Sequence, residues 1–389
     1  MKRWITLRDI LGFALIAAGV VGLFAQRSAG RAVPRITQAQ AVASPADQPR
    51  IENAKLETRG VNGNLETTIR DLAAQADSPL WIGYSVPQVE GERYSCCSNY
   101  SDDSNSCGTC RLEKEDGARI SSGSGGSGGS GSIKLEGSRQ LAVLFRLADK
   151  QVSRIRVASP ECALDAGGLR LVWLTGAKPA ESVALLTSYV KNSDFSERGG
   201  HHLGNEALSA IALHADSSAD RTLESFTSPQ QPEHLRRQTS FWLGAARGKS
   251  GLALLERMAK DDPSPEVRSQ VAFAFSVSKE SAALDDMIRL AHDDASAHVR
   301  GQALFWLAHK AGEKAVGTIT GAIENDPDTQ VKRQAVFALS QLPKDEGVPK
   351  LIAVAENNRN PEVRKQAMFW LGQSNDPRAL DFFAKILGR

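Results

Sequence analysis

The chain has 389 residues, with 47 Lys and Arg against 45 Asp and Glu and a formal net charge of +2, long enough for two or three domains. So even a balance excludes a nucleic-acid binder driven by bulk charge and an acidic disordered chain. A hydrophobic content of 41% with 24% charged residues excludes a multi-span membrane protein, and five cysteines are too few to build a fold of this size from disulfides.

Lys2, Arg3 and Arg8 precede an apolar run from Ile10 to Ala25, which is short for a spanning helix, and small residues follow at Ser28-Ala29-Gly30. Residues 1–30 therefore read as a signal peptide that is cleaved, or as an uncleaved N-terminal anchor with residues 10–25 as a membrane tether. Either reading exports the rest of the chain to the periplasm or cell envelope. Residues 31–61, rich in Pro, Gln, Ala and charge, read as a linker.

Residues 62–176 read as a small, mostly β domain with one helix. Leu65, Ile69, Leu72 and Ala73 fall at helical spacing, which predicts a helix over 63–75. Strands are predicted at 79–86, from Ile133 (IKLEG), in QLAVLFRLA and QVSRIRVAS with a turn at Asp149-Lys150, and at 169–174. Residues 121–132 are almost pure Gly and Ser, a flexible insert.

Cys96, Cys97, Cys107 and Cys110 share the 96–110 loop. In an exported chain they are disulfide candidates; neighbours 96 and 97 bond each other only with strain, so each pairs with 107 or 110. Two other chemistries stay open: a four-cysteine metal site, for which the vicinal pair is poor spacing, and a redox pair at Cys107-Gly-Thr-Cys110, for which the Ser/Asn/Asp context lacks the usual strand-to-helix junction. Cys162 is left over, as a buried free thiol or a competitor for one of the four. Asp102 and Asp103 suggest calcium, but the twelfth position from Asp103 is Lys114, where an EF-hand needs Glu. His201, His202, Glu206 and His214 could converge on a metal at helical spacing, but they read first as a surface cluster on a capping helix. No catalytic constellation, phosphate loop or dinucleotide fingerprint is present, and no cofactor is implied.

From Lys178 the pattern is helical. Residues 177–231 form a capping region, with 203–214 and 220–226 as a helix pair. A strict repeat then occupies 232–389. Leu235, Val267, Val299, Val331 and Val363 stand 32 residues apart; counting each as position 0 of its unit, Gln recurs at position 3, Phe at position 6 and Leu or Phe at position 8. Apolar residues recur at positions 17 and 20. The breaks between units, DDPSP, DDASA, NDPDT and NRNPE, stop one helix and cap the next. A helix pair with one apolar face per helix cannot bury it alone, so five stacked units imply a solenoid.

These units resemble the HEAT repeat family, in particular the short HEAT-like repeats of phycobilisome lyases. The resemblance is carried by the Pro-Glu-Val-Arg of 265–268 and 361–364, the Gln-Ala that follows, and the Phe-Trp-Leu blocks at Phe305 and Phe369. The fold class is thus α+β, an all-α HEAT-like solenoid behind a small β domain, with a degenerate sixth unit over 201–226. The resemblance implies protein–protein scaffolding. It also implies a concave side lined by second helices, which is the expected binding surface.

Several columns carry expectations. Trp242, Trp306 and Trp370 at position 7 alternate with Ala274 and Ala338 and are expected in the core. The position 6 phenylalanines are expected to pack between units or to form a partly exposed ridge. The position 3 glutamines are expected to hydrogen-bond to each other. Arg236, Arg268, Arg300, Lys332 and Arg364 at position 1 are expected to pair with the turn acids Asp262, Asp294 and Asp326; with 22 basic and 20 acidic residues over 232–389, no basic background makes them a nucleic-acid stripe. Position 19 is polar in the middle units and apolar at the ends, which makes Phe382 a candidate exposed anchor for a protein partner. The chain therefore reads as an exported, non-enzymatic scaffold. The competing reading is an envelope redox or metal-dependent protein using the cysteine cluster.

Overall fold

The computed structural model describes residues 48–90, 106–107, 110–113, 133–134, 139–193 and 203–388. The N-terminal 10–25 run, the Gly/Ser insert, Cys96, Cys97, Asp102, Asp103, His201 and His202 lie outside the described residues. Two compact units divide at Ala177/Lys178.

The first unit is built on a mixed five-stranded sheet of β2 (Lys55–Gly60), β10 (Arg170–Thr175), β3 (Leu80–Pro87), β7 (Gln140–Ala148) and β8 (Gln151–Ala158), in that spatial order. β10 runs parallel to both β2 and β3, whereas β3, β7 and β8 are antiparallel. Helix α1 (Leu65–Ala74) fills the connection between β2 and β3, burying Leu65, Ile69, Leu72 and Ala73 at the expected spacing. Asp149 and Lys150 turn the β7–β8 hairpin with φ of 52° and 63°, the positive pair that matches strand twist in a two-residue turn.

The linker reading of 31–61 needs correction at its end. Residues 51–52 and 55–60 are strands, β1 (Ile51–Glu52) and β2. KLETRG is an edge strand with almost no buried residue; Leu56 is 46% exposed. Without a buried face there is no alternation to read. Beside the main sheet lies a small parallel layer of β1, β9 (Leu164–Asp165) and β5 (Cys110–Arg111). β4 (Ser106–Cys107) pairs with β6 (Ile133–Lys134).

Cys110, Leu112, Leu164 and Ala166 of the small layer share a core with Trp81, Leu144, Leu171 and Trp173 of the main sheet. Trp173 lies across Gly83, where a Cβ would come within 2.7 Å of its ring; no other residue fits that strand position. Glu113 fastens this layer, accepting Trp81 Nε1 at 2.7 Å and Arg146 through Nε (2.9 Å) and Nη2 (3.0 Å). Partial burial pushes the Glu113 carboxyl up, but the Arg146 and Trp81 hydrogen bonds outweigh it and hold it below the usual range.

The second unit is helical throughout. Capping helices α2 (Pro179–Lys191), α3 (Leu203–Leu213) and α4 (Ser217–Phe226) precede five pairs. The pairs are α5 (Glu233–Ala246) with α6 (Gly248–Asp261), α7 (Pro265–Val277) with α8 (Ala283–Asp293), and α9 (Ala297–Ala311) with α10 (Val316–Asn325). The last two are α11 (Thr329–Ser340) with α12 (Lys344–Asn357), and α13 (Pro361–Gln373) with α14 (Pro377–Leu387). Position 0 and position 8 residues are all buried, Leu235 being 4% exposed and Val267, Val299, Val331 and Val363 0%. Each such side chain contributes about 1.5–3 kcal/mol of burial. The turn residues act as read: Ser264, Asp328 and Asn360 cap α7, α11 and α13 by accepting Val267 N, Gln330 N and Glu362 N.

Candidate interaction surface

Two columns of the repeat define its two working edges. The first is ionic. Arg236, Arg268 and Arg300 each place Nε and Nη2 on both carboxylate oxygens of Asp262, Asp294 and Asp326, at 2.7–3.1 Å. The same carboxylates accept the backbone N–H two residues on, from Ser264, Ser296 and Asp328. Nη1 of Arg268 and of Arg300 then reaches back to the carbonyls of Asp262 and Asp294, at 2.8 and 2.7 Å. Each arginine thus ties two successive inter-unit turns together. The aspartate side chains are 1–6% exposed. Asp294 raises the pKa of the Arg268 guanidinium and Asp326 that of Arg300. Burial pushes the Asp326 carboxyl up, yet the Arg300 bonds hold it below its ordinary value.

The fourth step differs. Lys332 stands where arginine stood and Asn358 where aspartate stood; Lys332 donates to Glu324 O at 2.8 Å, while Asn358 keeps the turn bond to Asn360 N. Arg364 binds the carbonyls of Asn358 and Arg359.

The second column is aromatic. Phe241 stacks on Phe273 (5.8 Å between centroids, 12° between planes) and Phe305 on Phe337 (5.7 Å, 10°). Trp306 leans on Phe273 at 4.6 Å and Trp370 on Phe337 at 4.8 Å. With Trp306 against Phe305 and Trp370 against Phe369, the rings form one ladder across all five units. They are half-buried, and Phe369 is 54% exposed. Both expectations for the phenylalanines hold: they stack between successive units and form a partly exposed ridge.

The core reading of the tryptophans does not hold. Trp242, Trp306 and Trp370 are only partly buried, whereas Ala274 and Ala338 at the same position are fully buried. The cause is close approach of the first helices. A Cβ on Gly244 would come within 2.2 Å of Ala274 O, and one on Gly301 would strike the Gln334 amide. A tryptophan has no room there and swings onto the preceding unit's phenylalanine. The glutamines do not form an amide ladder among the described residues; Arg333 donates to Gln366 at 3.4 Å, and Gln334 Oε1 is buried without a partner.

First helices pack side by side from α5 to α13, while second helices touch each other at few points. The first helices thus form the closely packed row of the array, and that row carries the rings.

Phe382 is 5% exposed, on the side of α14 that packs against α12 and α13, so it is not an exposed anchor; Leu380 (69%) and Leu387 (83%) are the exposed apolar residues of that helix. At position 19, Asp286 is buried, and burial followed by the neighbouring Glu256 carboxyl raises its pKa, against the pull of Arg289.

The histidine cluster does not hold a metal at His214. That ring is fully buried, with Nδ1 2.7 Å from Ala210 O and Nε2 2.8 Å from Ser182 Oγ. The carbonyl takes the Nδ1 proton, so Nε2 accepts from the serine. Burial lowers the His214 pKa to about 4. Sequence reasoning missed this lock, although Ser182 and His214 lie 32 residues apart, the repeat period itself. Among the described residues no group of three metal-ligating side chains converges. Cys110 and Cys162 are 1% and 0% exposed, and neither is a free thiol, which removes the free-thiol reading of Cys162. Among the described residues no helix is long and apolar enough to cross a membrane.

Residues 316–389 match the family model of HEAT repeats. No curated protein matches the chain. Among solved structures, the CpcE–CpcF complex of phycocyanin lyase from Nostoc sp. PCC7120 is 19% identical over 52% of this chain and 80% of its own, with a TM-score of 0.29. Human deoxyhypusine hydroxylase is 15% identical over 52% of this chain and 88% of its own, at 0.28. A Kap121p mutant is 14% identical over 50% of this chain and 25% of its own, at 0.31.

Proposed function

We propose, for a chain whose residues 316–389 match the family model of HEAT repeats, the role of an exported, non-enzymatic protein–protein interaction scaffold that binds through its first-helix face. One observation carries this reading: the half-exposed ring ladder from Phe241 to Phe369, mounted on a frame whose turns are tied by buried ion pairs. Aromatic side chains presented on a rigid frame bind with little loss of conformational freedom. Export rests on Lys2, Arg3, Arg8 and the apolar run at 10–25. In an oxidising compartment Cys110 and Cys162 serve as structural disulfide cysteines, and their burial opposes a redox role, which needs an accessible sulfur.

Quantitative pull-down from an envelope fraction tests the reading. The full chain retains a stoichiometric protein, and Phe305→Ala with Phe337→Ala releases it. A chain that stays in the cytosolic fraction, or retention indifferent to the ring variant, contradicts it.

A further inference from the structure

The charges of the array are sorted by face. The first helices hold three acidic residues, Glu233, Glu266 and Glu362, all in first turns. Beyond those turns, 237–246, 269–277, 301–311, 333–340 and 365–373 contain no Asp or Glu, but they contain Arg237, Arg333, Lys365 and Lys310, the last donating to the carbonyls of Ser276 and Ser278. The second helices carry ten acidic residues, among them Glu256, Asp285, Asp345 and Glu356. The ring face is therefore the part of the array that accepts negative charge.

Spacing narrows the occupant. Packed helices stand about 8–10 Å apart, and one three-residue turn of polyproline II advances about 9.3 Å. A β-strand repeats its side chains every ~6.6–6.8 Å and falls out of step. Polyproline II also leaves every backbone carbonyl unpaired, and the array offers solvent-accessible glutamine amides in successive units at Gln238, Gln270 and Gln302. Proline rings pack on aromatic side chains, and the ladder holds a partly exposed aromatic side chain in every unit.

Resting on the scaffold reading above, we infer that the first-helix face binds an extended, proline-rich, acidic peptide segment. Its prolines lie on the Phe and Trp rings, its carbonyls accept from the glutamines, and its carboxylates pair with Arg237, Arg333 and Lys365.

The probe is a fluorescein-labelled (Pro-Pro-Glu)5 peptide, about 46 Å long as polyproline II, titrated by anisotropy into the full chain, with (Pro-Pro-Lys)5 and (Gly-Ser-Glu)5 as controls. The acidic proline peptide should bind saturably, about tenfold or more tighter than either control. Phe305→Ala with Phe337→Ala should weaken it by about tenfold or more. The exposed pair Arg237→Glu and Lys365→Glu, which touches no core contact, should abolish the preference for Glu over Lys. Equal binding of all three peptides, no binding, or binding indifferent to both variants overturns the inference; so does heparin binding that survives loss of the rings. The two readings fail separately: a retained protein partner that (Pro-Pro-Glu)5 does not displace leaves the scaffold standing and removes the peptide chemistry.

Discussion

The inter-unit turns and the first-helix face belong to the same repeat and use their polar and aromatic groups in opposite ways. In the turns, Asp262, Asp294 and Asp326 have every oxygen occupied, by an arginine fork and a backbone N–H, and water is excluded. On the face, the rings touch each other yet stay half-exposed, and Arg237, Gln238 and Lys365 beside them are exposed. A group satisfied internally contributes to holding the array; a group left open is available to a partner.

The largest effect should come from breaking a turn. Asp294→Ala leaves the Arg268 guanidinium buried without its counter-ion, and removing one partner of such a pair costs about 3–5 kcal/mol; denaturant unfolding should show a lower midpoint.

His214 is next. Its pKa of about 4 lies below the ordinary 6.5 because burial opposes the charged form. The unfolded state binds more protons in that interval, so stability is full above pH 6.5 and falls as pH drops toward 4. The fall should reach about 3 kcal/mol, and His214→Gln should flatten the profile measured from pH 7 to 4.

On the face, Phe305→Ala should cost about 1–2 kcal/mol, less than a fully buried phenylalanine, because half of the ring already meets solvent. The smallest effect sharpens the comparison within the turns. Lys332→Arg with Asn358→Asp converts the fourth step to the pattern of the first three and should raise the melting temperature, by the equivalent of about 1 kcal/mol.

The repeat, its turns and the arginine–aspartate ties were legible because each depends on residues at fixed spacing. The tryptophans were misread because a helical wheel places position 7 beside position 0. It does not show how closely the next first helix approaches, and that distance admits Ala274 but not Trp306. Phe382 was misjudged because a polar residue at position 19 does not mark an exposed position: Leu254, Asp286 and Phe382 are all buried there. β2 was missed because KLETRG has no buried face, and the His214 lock because Ser182 sits in a helix outside the recognised units. The ring ladder was legible as a column of phenylalanines, but its exposure was not.

The central claim, that the array engages its partner through the first-helix face, is tested most directly by comparing two folded surface variants in one retention assay. The first carries Phe305→Ala and Phe337→Ala on the ring face; the second carries Lys350→Glu, at an exposed position of α12. The account predicts that the ring variant loses the bound protein and the second-helix variant keeps it. Retention by the ring variant, or loss confined to the Lys350→Glu chain, contradicts it.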